Sequence, residues 1–362
     1  MSDAETVAYI ALTISSRPGR PANENPIYRG AQVAVEALRH DHSYPVHLDW
    51  KIFDDFGDLE KTRDQAHQIV SDQNIVGVVG SMGSDETFTN APIFNEAGIV
   101  QISPCASHPK LCQKDYDTFF RLVANEQLQG AALANMARYY INASNTSIMH
   151  ADDIWGHTVS DIFTDEFEGL GGSVIARKTG TDKTDDFSLQ IQAIVDAQPD
   201  LVFMAVHPIQ GKTVSSGLRR AGLKAPFLGT DAMKTTFPLG GGTKNSDVFH
   251  THSGADFRRL PEAAKFRKEY IARFPEDSAY SPEAYDAVNI ISEAVRMTGG
   301  SDRASVLKAV RKLKQFDGVS GAIVFDSKGE RVDAPISFYQ VEKTDSGREM
   351  KYLGRTSELL SR

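Results

Sequence analysis

The stretch IVGVVGSMGSDETFTNAPIFNEAGIVQISPCAS, residues 75–107, decides the fold. Residues 75–80 form a short apolar run that ends in glycine, as a strand buried on both faces does. Residues 85–97 read as a helix, and 99–103 as a second apolar strand. Towards the N-terminus the same alternation continues. A strand is expected over 7–13, a helix over 28–40 with Ala31, Val35 and Leu38 on one face, a strand over 46–54 and a helix over 59–71. The resulting βαβαβαβ order calls for a parallel sheet with helices on both faces.

Towards the C-terminus the pattern restarts. Helices are expected over 126–140, 156–170, 187–197 and 212–221, alternating with strands over 146–150, 173–177, 201–206 and 226–229. Helices return at 261–274, 282–298 and 303–314, and strands at 321–325 and 336–342 close the chain. No Pro/Gly/Ser-rich linker separates the two α/β units, so the chain is expected to pass between them more than once.

Composition sets the outer bounds. The 362 residues are 41% hydrophobic and 24% charged, ordinary for a globular chain, and enough for about two domains. A net charge of −9 without a long basic run argues against a primary role on nucleic acid or anionic lipid. No apolar run approaches the roughly 20 residues that span a bilayer. The first residues, Met1 to Thr6, have neither a basic n-region nor an apolar h-region. That fits a cytoplasmic protein, or an exported one whose leader is not part of this sequence. Cys105 and Cys112 flank a short loop. A bridge between them and a pair of thiols both fit the spacing.

Several apparent motifs dissolve on inspection. Gly211-Lys212-Thr213 is half a phosphate-binding loop, but Val206 stands where its first glycine belongs, and Pro208 removes a backbone N–H. It reads as a helix start with an exposed Lys212. Residues 178–184 read as a polar loop before a helix. No HExxH, CxxC or GxSxG is present. His108, His150, His157 and His207 lack metal-ligand spacing, so neither a metal nor a cofactor is expected, and no catalytic residue stands out.

What carries information lies after the strands, where open α/β sheets bind ligands. Ser81-Met82-Gly83-Ser84 follows the third strand and opens a helix. Ser84 is placed to be an N-cap, or to present its hydroxyl to an anion beside free N–H groups. Pro104-Cys105-Ala106-Ser107 follows the fourth, and Thr230-Asp231 follows the strand at 226–229. Two serines with exposed backbone amides suit a carboxylate, and an acid from the other unit suits an ammonium. That is the zwitterion of an α-amino acid.

Residues 80–116 resemble the leucine/isoleucine/valine-binding protein family, the periplasmic type I solute-binding proteins of ABC importers. The likeness continues through 148–156, 200–224, 227–231, 280–288 and 321–329. It implies an α/β fold of two Rossmann-like, doubly wound lobes joined by three crossovers and closing like a hinge. One lobe would comprise 1–121 and 253–334, the other 122–252 and 335–362. By similarity, Ser84 and Ser107 would bind the ligand carboxylate, backbone groups near Cys105 would help to hold both ends of the zwitterion, and Met82, Gly83 and Ala106 would also line the ligand. Trp155, His207 and Tyr280 would surround the ligand, and Asp231 would take its ammonium. The partners implied are a small molecule, most simply an amino acid, and ABC-importer membrane subunits. The implied role is non-enzymatic delivery in the periplasm. The same fold also serves as the ligand-sensing domain of receptors or regulators, and a non-amino carboxylate is the alternative ligand. The chain departs from the family in the loop over 14–27, which offers Arg17, Arg20, Asn23 and Asn25 in place of an aromatic, and at His207, where an aromatic is usual.

Overall fold

The computed structural model describes residues 7–16, 21–41, 43–181, 184, 186–234, 247–274, 279–344 and 347–359. Arg17 and Arg20 lie outside them, as do residues 182 and 183 of the polar loop. In chain order the first elements are β1 (Val7–Ile14), α1 (Pro26–Arg39), β2 (His47–Asp54), α2 (Leu59–Ser71), β3 (Ile75–Val79), α3 (Ser84–Glu96), β4 (Val100–Ser103) and β5 (Phe119–Arg121). Then come α4 (Glu126–Asn135), β6 (Asn145–Ala151), α5 (Ile154–Gly169), β7 (Ser173–Gly180), α6 (Ser188–Ala197), β8 (Leu201–Ala205), α7 (Pro208–Arg220), β9 (Phe227–Gly229) and β10 (Val248–His252). The last are α8 (Ala264–Arg273), α9 (Ser281–Thr298), α10 (Arg303–Lys312), β11 (Phe316–Gly318), β12 (Gly321–Ile323), β13 (Ser337–Thr344), β14 (Gly347–Arg355) and α11 (Thr356–Leu359). None of the described helices is long and apolar enough to cross a membrane.

The chain divides into two compact units, Met1–Val123 with Asp256–Ala334, and Ala124–Ala255 with Pro335–Arg362. In unit 1 the sheet order is β2-β1-β3-β4-β5, with every pair parallel. Its inner strands β1 and β3 are apolar on both sides because helices cover both faces, whereas the edge strand β2 carries charged residues. One face packs Ile10, Leu12, Val76, Val79 and Val100 against Val35, Val288 and Ile291 of α1 and α9. The other packs Ala11, Ile75 and Val78 against Ala66, Ile69 and Phe94 of α2 and α3. Gly30 allows α1 to lie directly on α9, since a Cβ there would fall 2.0 Å from the Ser281 carbonyl oxygen.

Unit 2 has the order β14-β13-β10-β9-β8-β6-β7. The run from β10 to β7 is parallel, and the β13–β14 hairpin is added antiparallel. Residues 178–180 belong to β7 rather than to a loop. The helix begun at Glu126 ends its regular turns at Asn135 and finishes in one wider turn, Met136–Tyr140. The start of α7 at Pro208 puts Gly211-Lys212-Thr213 inside the helix, so it cradles nothing.

One buried acid predicts a pH response. Asp286 of α9 accepts the Val319 and Ser320 N–H groups at 2.9 and 2.8 Å and holds the β11–β12 turn. Burial raises its carboxyl from 3.8 to about 6, against the opposing pull of those bonds and of Arg331. The folded chain therefore holds this proton more tightly than the unfolded chain. The resulting stability is fully present below the ordinary carboxylate pKa and lost as pH rises through about 6. Asp286→Asn removes that term. Its unfolding free energy relative to wild type, from denaturant titrations, is expected to improve between about pH 4 and pH 7, by on the order of 3 kcal/mol. A difference that stays constant over that range would overturn the assignment.

Candidate functional site

In unit 1 the loops after β3 and β4 are fixed by a chain of neutral side chains. Asn90 donates to Ser81 Oγ at 2.7 Å. Gln101 donates to Asn90 at 2.9 Å and to the Gly80 carbonyl at 3.1 Å. Ser103 Oγ donates to the Ser81 carbonyl at 3.0 Å and accepts the Cys105 and Ala106 N–H groups at 3.3 and 2.9 Å. Those two amides are therefore used within the turn and not exposed.

Ser84 is the first residue of α3, and Gly83 is the cap, with no side-chain cap bond. The expected N-cap role of Ser84 is thus corrected. The helix begins one residue earlier than the periodicity indicates, which frees the Ser84 hydroxyl from capping. Its Oγ accepts the His108 N–H at 3.3 Å and so ties α3 to the Ser107 loop. The first N–H groups of α3 have no acceptor within the helix, which suits an anion. A Cβ at Gly83 would lie 2.0 Å from Glu86 Oε2, so a side chain there would displace the Glu86 carboxylate. Met82 is half-buried, and its sulfur accepts from Asn25 Nδ2 at 3.5 Å. Asn25 itself caps α1 through the Ile27 N–H at 2.9 Å, so it serves the fold. Ser84 and Ser107 are both buried.

Behind Ser107, Arg121 is fully buried. It grips Glu330 with two nitrogens and donates to the His108 carbonyl at 2.7 Å. Burial, with Lys110 and Arg121 nearby, pushes the His108 imidazole down to about 4, so the ring is neutral at physiological pH. Cys112 is buried, its thiol raised to about 12, and neither cysteine is in a disulfide. Tyr280 packs with Val123, Ala279 and Cys105. Its φ of +69° is a left-handed conformation that is strained for tyrosine. Met82, Gly83, Ser84, Cys105, Ala106, Ser107 and Tyr280 all belong to unit 1.

Unit 2 brings Trp155 and His207 together at the carboxyl ends of the adjacent strands β6 and β8. Their ring centroids are 5.3 Å apart at 31°. Asp153 caps α5 by accepting the Gly156 N–H at 2.7 Å, and its other oxygen meets His207 Nε2 at 2.6 Å. Gly156 lets α5 start this close to β6, since a Cβ would lie 2.3 Å from the Ala151 carbonyl oxygen. Asp231 follows β9, the next strand. It is 4% exposed. It accepts the Ala232 N–H at 3.0 Å, Ser253 Oγ at 2.5 Å and Gln129 Nε2 at 3.3 Å. Among the described residues no Lys, Arg or His nitrogen stands within ion-pair distance of it. Sequence reasoning missed Asp153, Gln129 and Ser253. Only Asp153 had a local signal, an acid just ahead of a helix.

The model of the periplasmic binding protein family matches residues 14–348. An amino acid binding protein of Pseudomonas aeruginosa is 26% identical over 288 residues, 77% of this chain and 74% of its own length. Leu/Ile/Val-binding protein homolog 3 of Brucella melitensis is 23% identical, covering 89% and 87%. Among solved structures, a leucine binding protein from Thermotoga maritima superposes with a TM-score of 0.86 at 20% identity, over 97% of this chain and 99% of that one. The family match spans most of both doubly wound units, so the chain belongs to the periplasmic binding proteins, as a relative of the Leu/Ile/Val-binding type I group.

Proposed function

We propose that this chain binds an α-amino acid without chemical turnover and delivers it to the membrane subunits of an ABC importer, outside the cytoplasm. The observation that carries this reading is Asp231, a buried carboxylate with three donors and, among the described residues, no cation within ion-pair distance. A ligand ammonium would supply the missing charge. In unit 1 the N-terminus of α3, with Ser84 and Ser107, suits the ligand carboxylate. The backbone of Met82, Gly83, Cys105 and Ala106 would line that end, and Trp155, His207 and Tyr280 would contact the rest. The names of the amino-acid-binding relatives support the ligand class.

A thermal-shift screen over amino acids and small carboxylates tests the ligand class directly. Ligand at 100 times its Kd adds about 2.7 kcal/mol to stability. With the best ligand, Ser84→Ala and Ser107→Ala are each expected to weaken binding by about 1–3 kcal/mol, because a charge-assisted hydrogen bond is lost. Titration calorimetry giving wild-type affinity for both variants would remove the carboxylate from this cluster.

A further inference from the structure

The pair formed by Asp153 and His207 makes a narrower reading of unit 2 possible. A carboxylate only accepts, so the 2.6 Å contact requires the hydrogen on His207 Nε2. In the neutral ring the lone pair then belongs to Nδ1. That nitrogen has no partner among the described residues, and the side chain remains 23% exposed. Trp155 lies against the ring, so the imidazole is positioned by Asp153 at one nitrogen and by the indole beside it. The ring stands at a strand's carboxyl end, where this fold class meets its ligands. A solvated acceptor there is satisfied by water until a ligand displaces it. An aliphatic side chain would leave it unpaired, whereas an O–H or N–H would replace the water.

We propose that His207 is a specificity-determining acceptor: it selects amino acids whose side chains carry a hydrogen-bond donor over apolar ones of the same size. Asp153 is the positioning residue that sets the tautomer. This rests on the amino-acid reading above.

The test is calorimetry with three near-isosteric pairs: threonine and valine, tyrosine and phenylalanine, glutamine and methionine. At least one donor-bearing member is expected to bind about tenfold or more tighter than its apolar partner. His207→Phe should bring that ratio to within about twofold. Asp153→Asn can keep the α5 cap through its side-chain oxygen while its amide donates to Nε2. The ring proton then moves to Nδ1, and the donor preference should vanish or reverse. A role for Asp153 in folding alone would weaken both members of a pair equally and leave the ratio unchanged. Thermal melting of each variant identifies any that fails to fold, and the ratio is then read from the other. Equal binding within every pair, or a ratio that survives both substitutions, overturns the inference while the amino-acid reading stands. Binding of no amino acid at all overturns both.

Discussion

Asp231→Asn is expected to weaken binding of the best amino acid by about 3–5 kcal/mol, the scale for removing one partner of a desolvated ion pair. The variant suits the question because the fold should tolerate it. Asparagine keeps an oxygen for the Ala232 N–H, and the Ser253 hydroxyl can turn to accept from the new amide. The complementary change is made on the ligand. A deaminated analogue that keeps the carboxylate and side chain should lose a similar amount against wild type, and much less against the variant. Measured as a double-mutant cycle, the two changes should couple strongly. The competing role is visible in the structure: Asp231 does accept the N–H of the next residue, as turn aspartates do. Its second oxygen, however, is oriented by Gln129 and Ser253, from distant parts of the chain. A turn needs no such support. Coupling near zero would assign Asp231 to the turn and favour a plain carboxylate as ligand.

The parts of the fold legible in the sequence were those whose burial shows as local pattern. The predicted helix over 59–71 coincides with α2 because Asp58 caps it and the buried Thr62, Ala66 and Ile69 recur at helical spacing. Of the strands that the serine loops follow, β3 is apolar throughout, and β4 is fully buried, its Val100 and Ile102 alternating with the hydrogen-bonded Gln101 and Ser103. Strand β10, VFHTH, escaped notice because its two histidines imitate a solvated face, yet both are buried and His250 stacks on Tyr339 at 5.1 Å. The edge strand β14, GREMKYLGR, carries the charges that a sheet edge tolerates and so offers no apolar run to mark it. The short β5 was hidden for another reason: its last residue is an arginine, and only a distant glutamate makes its burial possible. The candidate site divides in the same way. Ser84, Ser107 and Asp231 stand out because they follow strands. Gln129, Ser253 and Glu330 matter through contacts with residues 102, 22 and 209 positions away, and nothing in their own neighbourhood announces that.

That arginine supports the second large expectation. Arg121→Met should lower unit 1 stability by about 3–5 kcal/mol, because Glu330 would keep its charge in a half-buried place after losing the guanidinium that offsets it. The same substitution removes the donor to the His108 carbonyl, the bond that pins the loop next to Ser107. Stability and binding should therefore both fall, and the double variant Arg121→Met/Glu330→Met separates them. Replacing a buried pair by apolar side chains of similar size is often neutral or better, so the denaturation midpoint should recover towards wild type. The His108 carbonyl still lacks its donor, so the Ser107 loop stays loose and affinity stays reduced. The His108 ring supplies an independent reading by NMR: losing the nearby guanidinium should raise its imidazole from about 4 in both variants. If affinity returned together with stability, the arginine would serve the fold alone, and the loop would owe its position to the Ser84 bond and the Ser103 turn. If stability stayed at wild type in Arg121→Met, the ion pair would contribute nothing net despite its burial.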